Sequence, residues 1–300
     1  MRDREHLTWE AAPALSDVWD NPEDAVYHRS DWDGQLPLSA SGRTAAEVAR
    51  ACAHEAGRIV MATFGKTHDV LVKGRGNFLT QTDLAAEQAI LALLREEYPD
   101  HSVLAEETAG EGPRQGWLWV IDPLDGTHNF SRGIPYFATN IALCHNGEPM
   151  LGMTYAPATS GEFFAQRGAG LTVNGQPAHV SAAEHLADCV LGADLGYEDT
   201  RAARMLELVE EVWPVQSVRV MGSAALGLAY AACGSYDLFL HHCLYPWDVA
   251  AGIVLVTEGG GAARDRDGGP ATLDSEGIVA GAPGAVEEML SLARDRPWRE

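Results

Sequence analysis

Asp122 and Asp125 stand three residues apart in the segment VIDPLDGTHNF (120–130), where an apolar run that reads as a buried strand ends in two acids around a proline. Carboxylates this close repel each other unless positive charge lies between them. Hard oxygen ligands at such density suit Mg2+ or Mn2+ rather than zinc, which prefers histidine and cysteine. The Leu124 carbonyl between them is free to join as a further oxygen. The same five residues also read as a plain turn, since Asp, Pro and Gly each favour turns for independent reasons.

Further acids shift the balance toward a metal. Glu106 and Glu107 close the preceding apolar strand, Asp83 opens a helix after Thr80 and Thr82, and Asp248 follows Trp247 at the start of another helix. Taken singly, Asp83 and Asp248 read equally well as helix caps and Glu106 as a solvated strand end. Taken together, carboxylates and a threonine at element ends are what two metal ions about 4 Å apart require, provided the fold gathers them. The segment GTHNF that follows starts like a helix, and a helix N-terminus offers N–H donors to a phosphate, with Gly126 permitting close approach. The chemistry expected from this set is hydrolysis of a phosphate monoester by metal-activated water.

The elements that must position these residues are visible in the patterning. TAAEVARACAHEAGRIVMATFG begins with a Thr44–Glu47 capping box and places Val48, Cys52, Ala56, Ile59 and Thr63 on one helical face. A second helix is expected from about Leu84 to Tyr98, burying Ala86, Ile90, Leu93 and Leu94. SVLA and WLWVI read as buried strands ending at Glu106 and Asp122, and 138–180 as a strand meander with turns at Asn146-Gly147, Ser160-Gly161 and Asn174-Gly175. The second half alternates helix and strand: helices at 201–212, 223–233 and 248–258, and a strand YDLFL. Three divisions are expected: an irregular Asp-, Trp- and Pro-rich extension 1–42, an α+β half 43–185 carrying most of the candidate metal ligands, and an α/β half 186–300 carrying the last of them and the substrate-side residues. Layered sheets covered by helices are the expected α/β architecture.

Composition narrows the partners. A chain of 300 residues with 46% hydrophobic content can bury a sizeable core. Its formal charge of -22 argues against nucleic acid or an anionic membrane surface as general partners. Five scattered cysteines without a C-x-x-C pair read as reduced thiols, and the N-terminal MRDREHLTWEAAP lacks an apolar core, so a cytoplasmic protein is expected.

The ordered set LTQTD (79–83), AEE (105–107), IDPLDGTHNF (121–130), RVMGSAA (219–225) and WDVAAG (247–252) resembles the inositol monophosphatase family of lithium-sensitive, magnesium-dependent phosphatases over about residues 44–290. The resemblance implies an alternating α-β-α-β-α sandwich, a homodimer and inhibition by lithium. It implies that Glu106, Asp122 and the Leu124 carbonyl hold a first Mg2+ and Asp122, Asp125 and Asp248 a second. A weaker third ion would sit near Glu106. Thr127, oriented by Asp83, would activate the water. The amides of Gly126 and Thr127 would hold the phosphate, and Gly222, Ser223 and Ala224 would line the substrate side.

The departures from the family bear on substrate. His241 stands where inositol-specific members carry a glutamate seven residues before the W-D aspartate, Asn77 replaces a common aspartate, and the KGRGN loop is one residue short. A small phosphorylated metabolite is expected, inositol-phosphate-like or a sugar or polyol phosphate, with histidinol phosphate or fructose bisphosphate as alternatives. THNF differs from the TKEF of nucleotide-directed relatives. A non-catalytic regulatory or assembly protein on the same scaffold is the alternative of another class.

Other features read more simply. His241, His242 and Cys243 suggest zinc, but alternation along a strand sends the two histidines to opposite faces. Lys73 and Arg75 could greet a phosphate, although basic residues in Gly-rich loops are commonly only solvated, and Trp9, Trp19 and Trp32 read as packing anchors. No G-x-S-x-G nucleophile elbow is present.

Overall fold

The structure is a computed structural model that describes residues 35–66, 70–74, 77–107 and 114–299, with 70–74, 77–79 and 299 described by backbone alone. Trp9, Trp19, Trp32 and Arg75 lie outside the described residues, as do the side chains of Lys73 and Asn77. The chain divides into units Met1–Leu36 and Pro37–Glu300, and the second carries the architecture below.

Helix α1 (Ala45–Thr63) opens on the capping box: the Glu47 amide donates to the Thr44 hydroxyl at 3.2 Å, and the Thr44 amide donates to the Glu47 carboxylate at 2.8 Å. Two orphan donors are satisfied at once. Its buried stripe is Val48, Ala49, Cys52, Ala53, Ala56 and Val60. Val60 therefore takes the place expected for Ile59 and Thr63, because the small alanines, which apolar spacing does not single out, set the line of contact. A hairpin of β1 (Val70–Gly74) and β2 (Asn77–Thr80) leads into α2 (Gln81–Glu97). Helix α2 starts three residues before the expected Leu84, since Thr80 and Asp83 form a second capping box.

Strands β3 (Ser102–Ala105) and β4 (Trp117–Asp125) pair in parallel, and a meander of β5 (Ala138–His145), β6 (Glu148–Ala156), β7 (Gly161–Gln166), β8 (Gly170–Val173) and β9 (Gln176–Ala178) extends them into a seven-stranded sheet in chain order. The Asn146-Gly147 and Asn174-Gly175 turns have positive φ at both residues, the twist that tight hairpins need.

A second sheet follows. It contains β10 (Val190–Ala193), β11 (Ser217–Arg219), β12 (Leu238–His241), β13 (Ala262–Asp265) and β14 (Ile278–Gly281), in the order β11-β10-β12-β14-β13. Helices α4 (Asp199–Val212), α5 (Ala224–Ala232), α6 (Pro246–Glu258) and α7 (Pro283–Leu292) connect or follow these strands. A one-turn helix α3 (Thr127–Ser131) follows β4.

Helices α1 and α2 pack on the seven-stranded sheet, α5 and α6 lie between the two sheets, and α4 and α7 cover the far face of the second. This is the expected α-β-α-β-α sandwich. Its central layer is filled by Leu226, Leu228, Phe239, Ile253, Val254 and Phe163. The seam is tight: a Cβ on Gly152 of β6 would lie 2.5 Å from the Ala251 carbonyl of α6. Among the described residues no helix is long and apolar enough to cross a membrane.

Candidate active site

In a regular strand, residues three apart face opposite sides of the sheet, so Asp122 and Asp125 would diverge. They do not, because β4 continues past Asp122, where the apolar pattern predicted its end, and carries a bulge. Asp122 pairs with Asn140 and Asp125 with Ala138: three steps along β4 against two along β5. The extra residue falls at Pro123-Leu124 and returns both acids to one face. Pro123 has no N–H to withdraw from the ladder, and its carbonyl accepts from the Thr139 hydroxyl at 3.0 Å. The Leu124 amide donates to the Asp122 carboxylate at 2.9 Å.

Asp248 reaches the same point from the first turn of α6. Pro246 starts that helix with a preset φ, and the Asp248 carboxylate accepts from the Tyr245 amide at 2.7 Å. Asn140 ties β5 to α6 by donating to the Trp247 carbonyl at 2.7 Å, and is itself fixed by the Thr154 hydroxyl at 2.7 Å. As a result Asp122, Asp125 and Asp248 each offer a carboxylate oxygen within 4.8 Å of the others. Glu106, at the end of β3, lines the same cleft of about 260 Å3, with Leu124, Thr127, Tyr197, Tyr245 and Trp247.

Asp83 is fully buried at the N-terminus of α2. It accepts from the Thr80 amide at 2.9 Å, from the Thr80 hydroxyl, and from the Thr127 hydroxyl at 2.9 Å. Thr127 Oγ1 also lies 2.9 Å from the Leu124 carbonyl. Gly126 has φ +85, and a Cβ there would sit 3.0 Å from the Tyr136 carbonyl, so the turn into α3 needs glycine. Because α3 is five residues long, the turn offers backbone N–H groups rather than a strong dipole.

The Ser223 hydroxyl and the Ala225 amide (3.1 Å) both donate to one oxygen of Asp125, leaving the other for the cleft. Gly222, at φ +76, and Ala224 flank Ser223 at the start of α5. His241 is buried at the end of β12, accepts from the Cys243 amide at 3.1 Å, and is held neutral by burial, its pKa lowered to about 3. It is not among the residues lining the acid cleft. His242 turns its Nε2 to the Arg201 carbonyl instead. Among the described residues the acid trio is the one cluster of three potential metal ligands, so a zinc site at 241–243 finds no support.

Two further residues, Asp194 and Asn129, complete the site. Asp194, buried just after β10, accepts from the amides of Met221 (3.1 Å), Gly222 (2.7 Å) and Ser223 (3.2 Å). Asn129 donates to the carbonyls of Met221 (2.7 Å) and Tyr136 (2.8 Å). The loop before α5 is thus held through both its donors and its acceptors. Only the fold brings these residues to the loop, so no local signal marks Asp194, and the GTHNF segment that contains Asn129 does not reveal this contact.

The electrostatics fit a hard cation. Burial, then the charges of Glu106, Asp125 and Asp248, push Asp122 well above the usual carboxylate range. Burial raises Asp125 to about 6, and burial together with Asp125 raises Asp248 to about 8. Three acids driven toward protonation, all by burial and Asp122 and Asp248 also by neighbouring carboxylates, are relieved by divalent charge between them, and the all-oxygen donor set suits such an ion.

The profile of the inositol monophosphatase family matches residues 43–297. The chain is 39% identical to the inositol-1-monophosphatase of Mesorhizobium japonicum over 250 residues, covering 82% of this chain and 94% of that one. It is 37% identical to the Nus factor SuhB of Escherichia coli over 254 residues, covering 83% and 95%. The crystal structure of the extragenic suppressor protein suhB from Bartonella henselae superposes with a TM-score of 0.79 at 34% identity, over 83% of this chain and 98% of that one.

Proposed function

The chain belongs to the inositol monophosphatase family and is a phosphatase of that family; from this premise we propose that it hydrolyses a small phosphorylated metabolite with Mg2+ as cofactor. The observation that carries the reading is the convergence of Asp122, Asp125 and Asp248 within 4.8 Å beside the Thr127–Asp83 pair. Asp122, the Leu124 carbonyl and Glu106 would hold one ion, and Asp122, Asp125 and Asp248 another. Bound divalent cations supply positive charge to the phosphate oxygens and acidify water.

The protein's own groups do the rest. Thr127, its hydroxyl hydrogen directed to Asp83, turns an oxygen lone pair to the cleft and accepts from the attacking water. Asp83, raised by burial, is suited to take up the proton that passes through Thr127. The amides of Gly126 and Thr127 orient the phosphate, and Gly222, Ser223 and Ala224 border the departing alcohol.

Inositol phosphate is the substrate class the family implies, with sugar, polyol, histidinol and fructose phosphates as competitors. His241, which stands where inositol-specific members carry a glutamate and does not line the acid cleft, removes an acceptor for a sugar hydroxyl, so inositol phosphate is not expected to be the best of them. Inhibition by lithium, a homodimer and a cytoplasmic location belong to the same proposal. The similarity to a Nus factor of Escherichia coli favours a second reading as a regulatory protein, against which the complete acid set weighs. Phosphate release from a panel of these esters in excess Mg2+ and in EDTA decides. Release in Mg2+ that disappears in EDTA is expected, and full release in EDTA would overturn the metal assignment.

A further inference from the structure

Two loops meet at the mouth of the acid cleft, and each brings a tyrosine. After β10 the chain turns at Gly196, where φ is +62 and a Cβ would lie 2.5 Å from the Cβ of Cys243. The loop carrying Tyr197 is therefore pressed against the loop that leads to Tyr245. Tyr197 and Tyr245 both line the cleft that holds Asp122, Asp125 and Asp248, yet the two residues stay 49% and 46% exposed. Tyr245 stacks on Trp247 with ring centroids 5.1 Å apart and planes at 14°. The pair is fixed relative to the acids, because the Tyr245 amide donates to Asp248 and the Trp247 carbonyl accepts from Asn140. One face of the Tyr245 ring is thus occupied by Trp247, while the residue stays 46% exposed beside the cleft. Phosphoryl transfer needs no aromatic ring, so this wall bears on what the phosphate is attached to.

We infer that the wall selects phosphate esters whose alcohol carries a flat unsaturated ring, stacked against Tyr245 and Tyr197 while the phosphate lies over the acids. The inference rests on the phosphatase reading above and names its substrate class. Ring faces reward a flat ring with offset or edge contacts that a puckered, hydroxylated polyol cannot make. An imidazole and a purine share that chemistry.

The test compares benzyl phosphate with cyclohexylmethyl phosphate, similar in size, using the full chain in excess Mg2+; benzyl alcohol is slightly the stronger acid, so the change of the ratio between wild type and the alanine variants is what reads the wall. The expected ratio of kcat/KM is about fivefold in favour of benzyl, the scale of one aromatic pair. That ratio falls toward one in Tyr245→Ala and in Tyr197→Ala, through KM, and persists in Tyr245→Phe. Histidinol phosphate and an adenosine monophosphate, run in parallel, decide between imidazole and purine. A wild-type ratio near one, or a ratio that survives both alanine variants, overturns the inference. Calorimetric binding of benzylphosphonate against cyclohexylmethylphosphonate gives a readout independent of turnover. If no ester releases phosphate, the phosphatase reading falls, while tighter binding of the benzyl compound still supports the wall and equal binding still sinks it.

Discussion

At the scale of single residues, the acid set divides into groups that touch the cleft and groups that hold them. Asp122 belongs to the first: it is 2% exposed, and the charges of Glu106, Asp125 and Asp248 all reach it. Asp122→Asn keeps the shape and removes the charge. Phosphate release is expected to fall by more than about 100-fold, the scale on which even outer partners of metal sites act, while the thermal unfolding midpoint in EDTA stays or rises because a repelling charge is gone. Unchanged turnover would count against the assignment. Ser223 belongs to the second group, since its hydroxyl fixes the oxygen of Asp125 that faces away from the cleft. Ser223→Ala is expected to raise the Mg2+ concentration for half-maximal activity by about 10-fold or more, with a smaller effect at saturating Mg2+. An unshifted Mg2+ curve would show that Asp125 needs no such support. These acids were legible in the sequence because each stands beside a turn or cap signal. Asp194 was not, since the amides it holds lie far away in the chain, and no local signal gave Asn129 its tie to the loop before α5 or Tyr245 its place at the cleft.

At the scale of elements, a bulge and a loop do the positioning. The sequence read WLWVI as a strand ending at Asp122 and the next residues as a turn, whereas the chain keeps its pairing to Asp125 by admitting one extra residue. Periodicity cannot show this, because a bulge is a property of two strands together. Helix α1 was legible to its cap, because Thr44 and Glu47 carry their own signal. Strands β13 and β14, at four residues each, were not, since short apolar runs have no period to read. The loop before α5 shows what such placement is worth. Asp194→Ala leaves three amides facing an empty pocket, and each buried orphan costs about 1–3 kcal/mol before water relieves it. A loss of about 2 kcal/mol in chemical unfolding is expected, with KM raised more than kcat is lowered because the loop borders the substrate rather than the acids. Equal loss in kcat and none in KM would place Asp194 in the chemistry instead.

At the scale of the whole molecule, the layered order that composition and alternation forecast contains a half-buried histidine and a buried acid whose protonation has opposite effects on stability. His101 packs between Tyr98, at 4.5 Å, and Trp117, at 5.9 Å, and its Nδ1 is buried without a partner. Burial lowers its pKa from 6.5 to about 4. Below pH 6.5 the unfolded chain takes a proton that the fold refuses, so this residue withdraws stability as pH falls from 6.5 to about 4. Asp194 runs the other way: burial raises it from 3.8 to about 6, the fold keeps a proton the unfolded chain has lost, and stability is lost as pH rises through that window. The wild-type melting curve therefore mixes both signs, and only a difference isolates one. His101→Phe keeps an aromatic ring between Tyr98 and Trp117 and removes the titration. In excess Mg2+, the melting temperature of His101→Phe minus that of wild type is expected to grow steadily from pH 7 to pH 4.5. A difference that stays flat over that range would show that the fold accepts the His101 proton as readily as water does, and that the ring is not sealed between its neighbours.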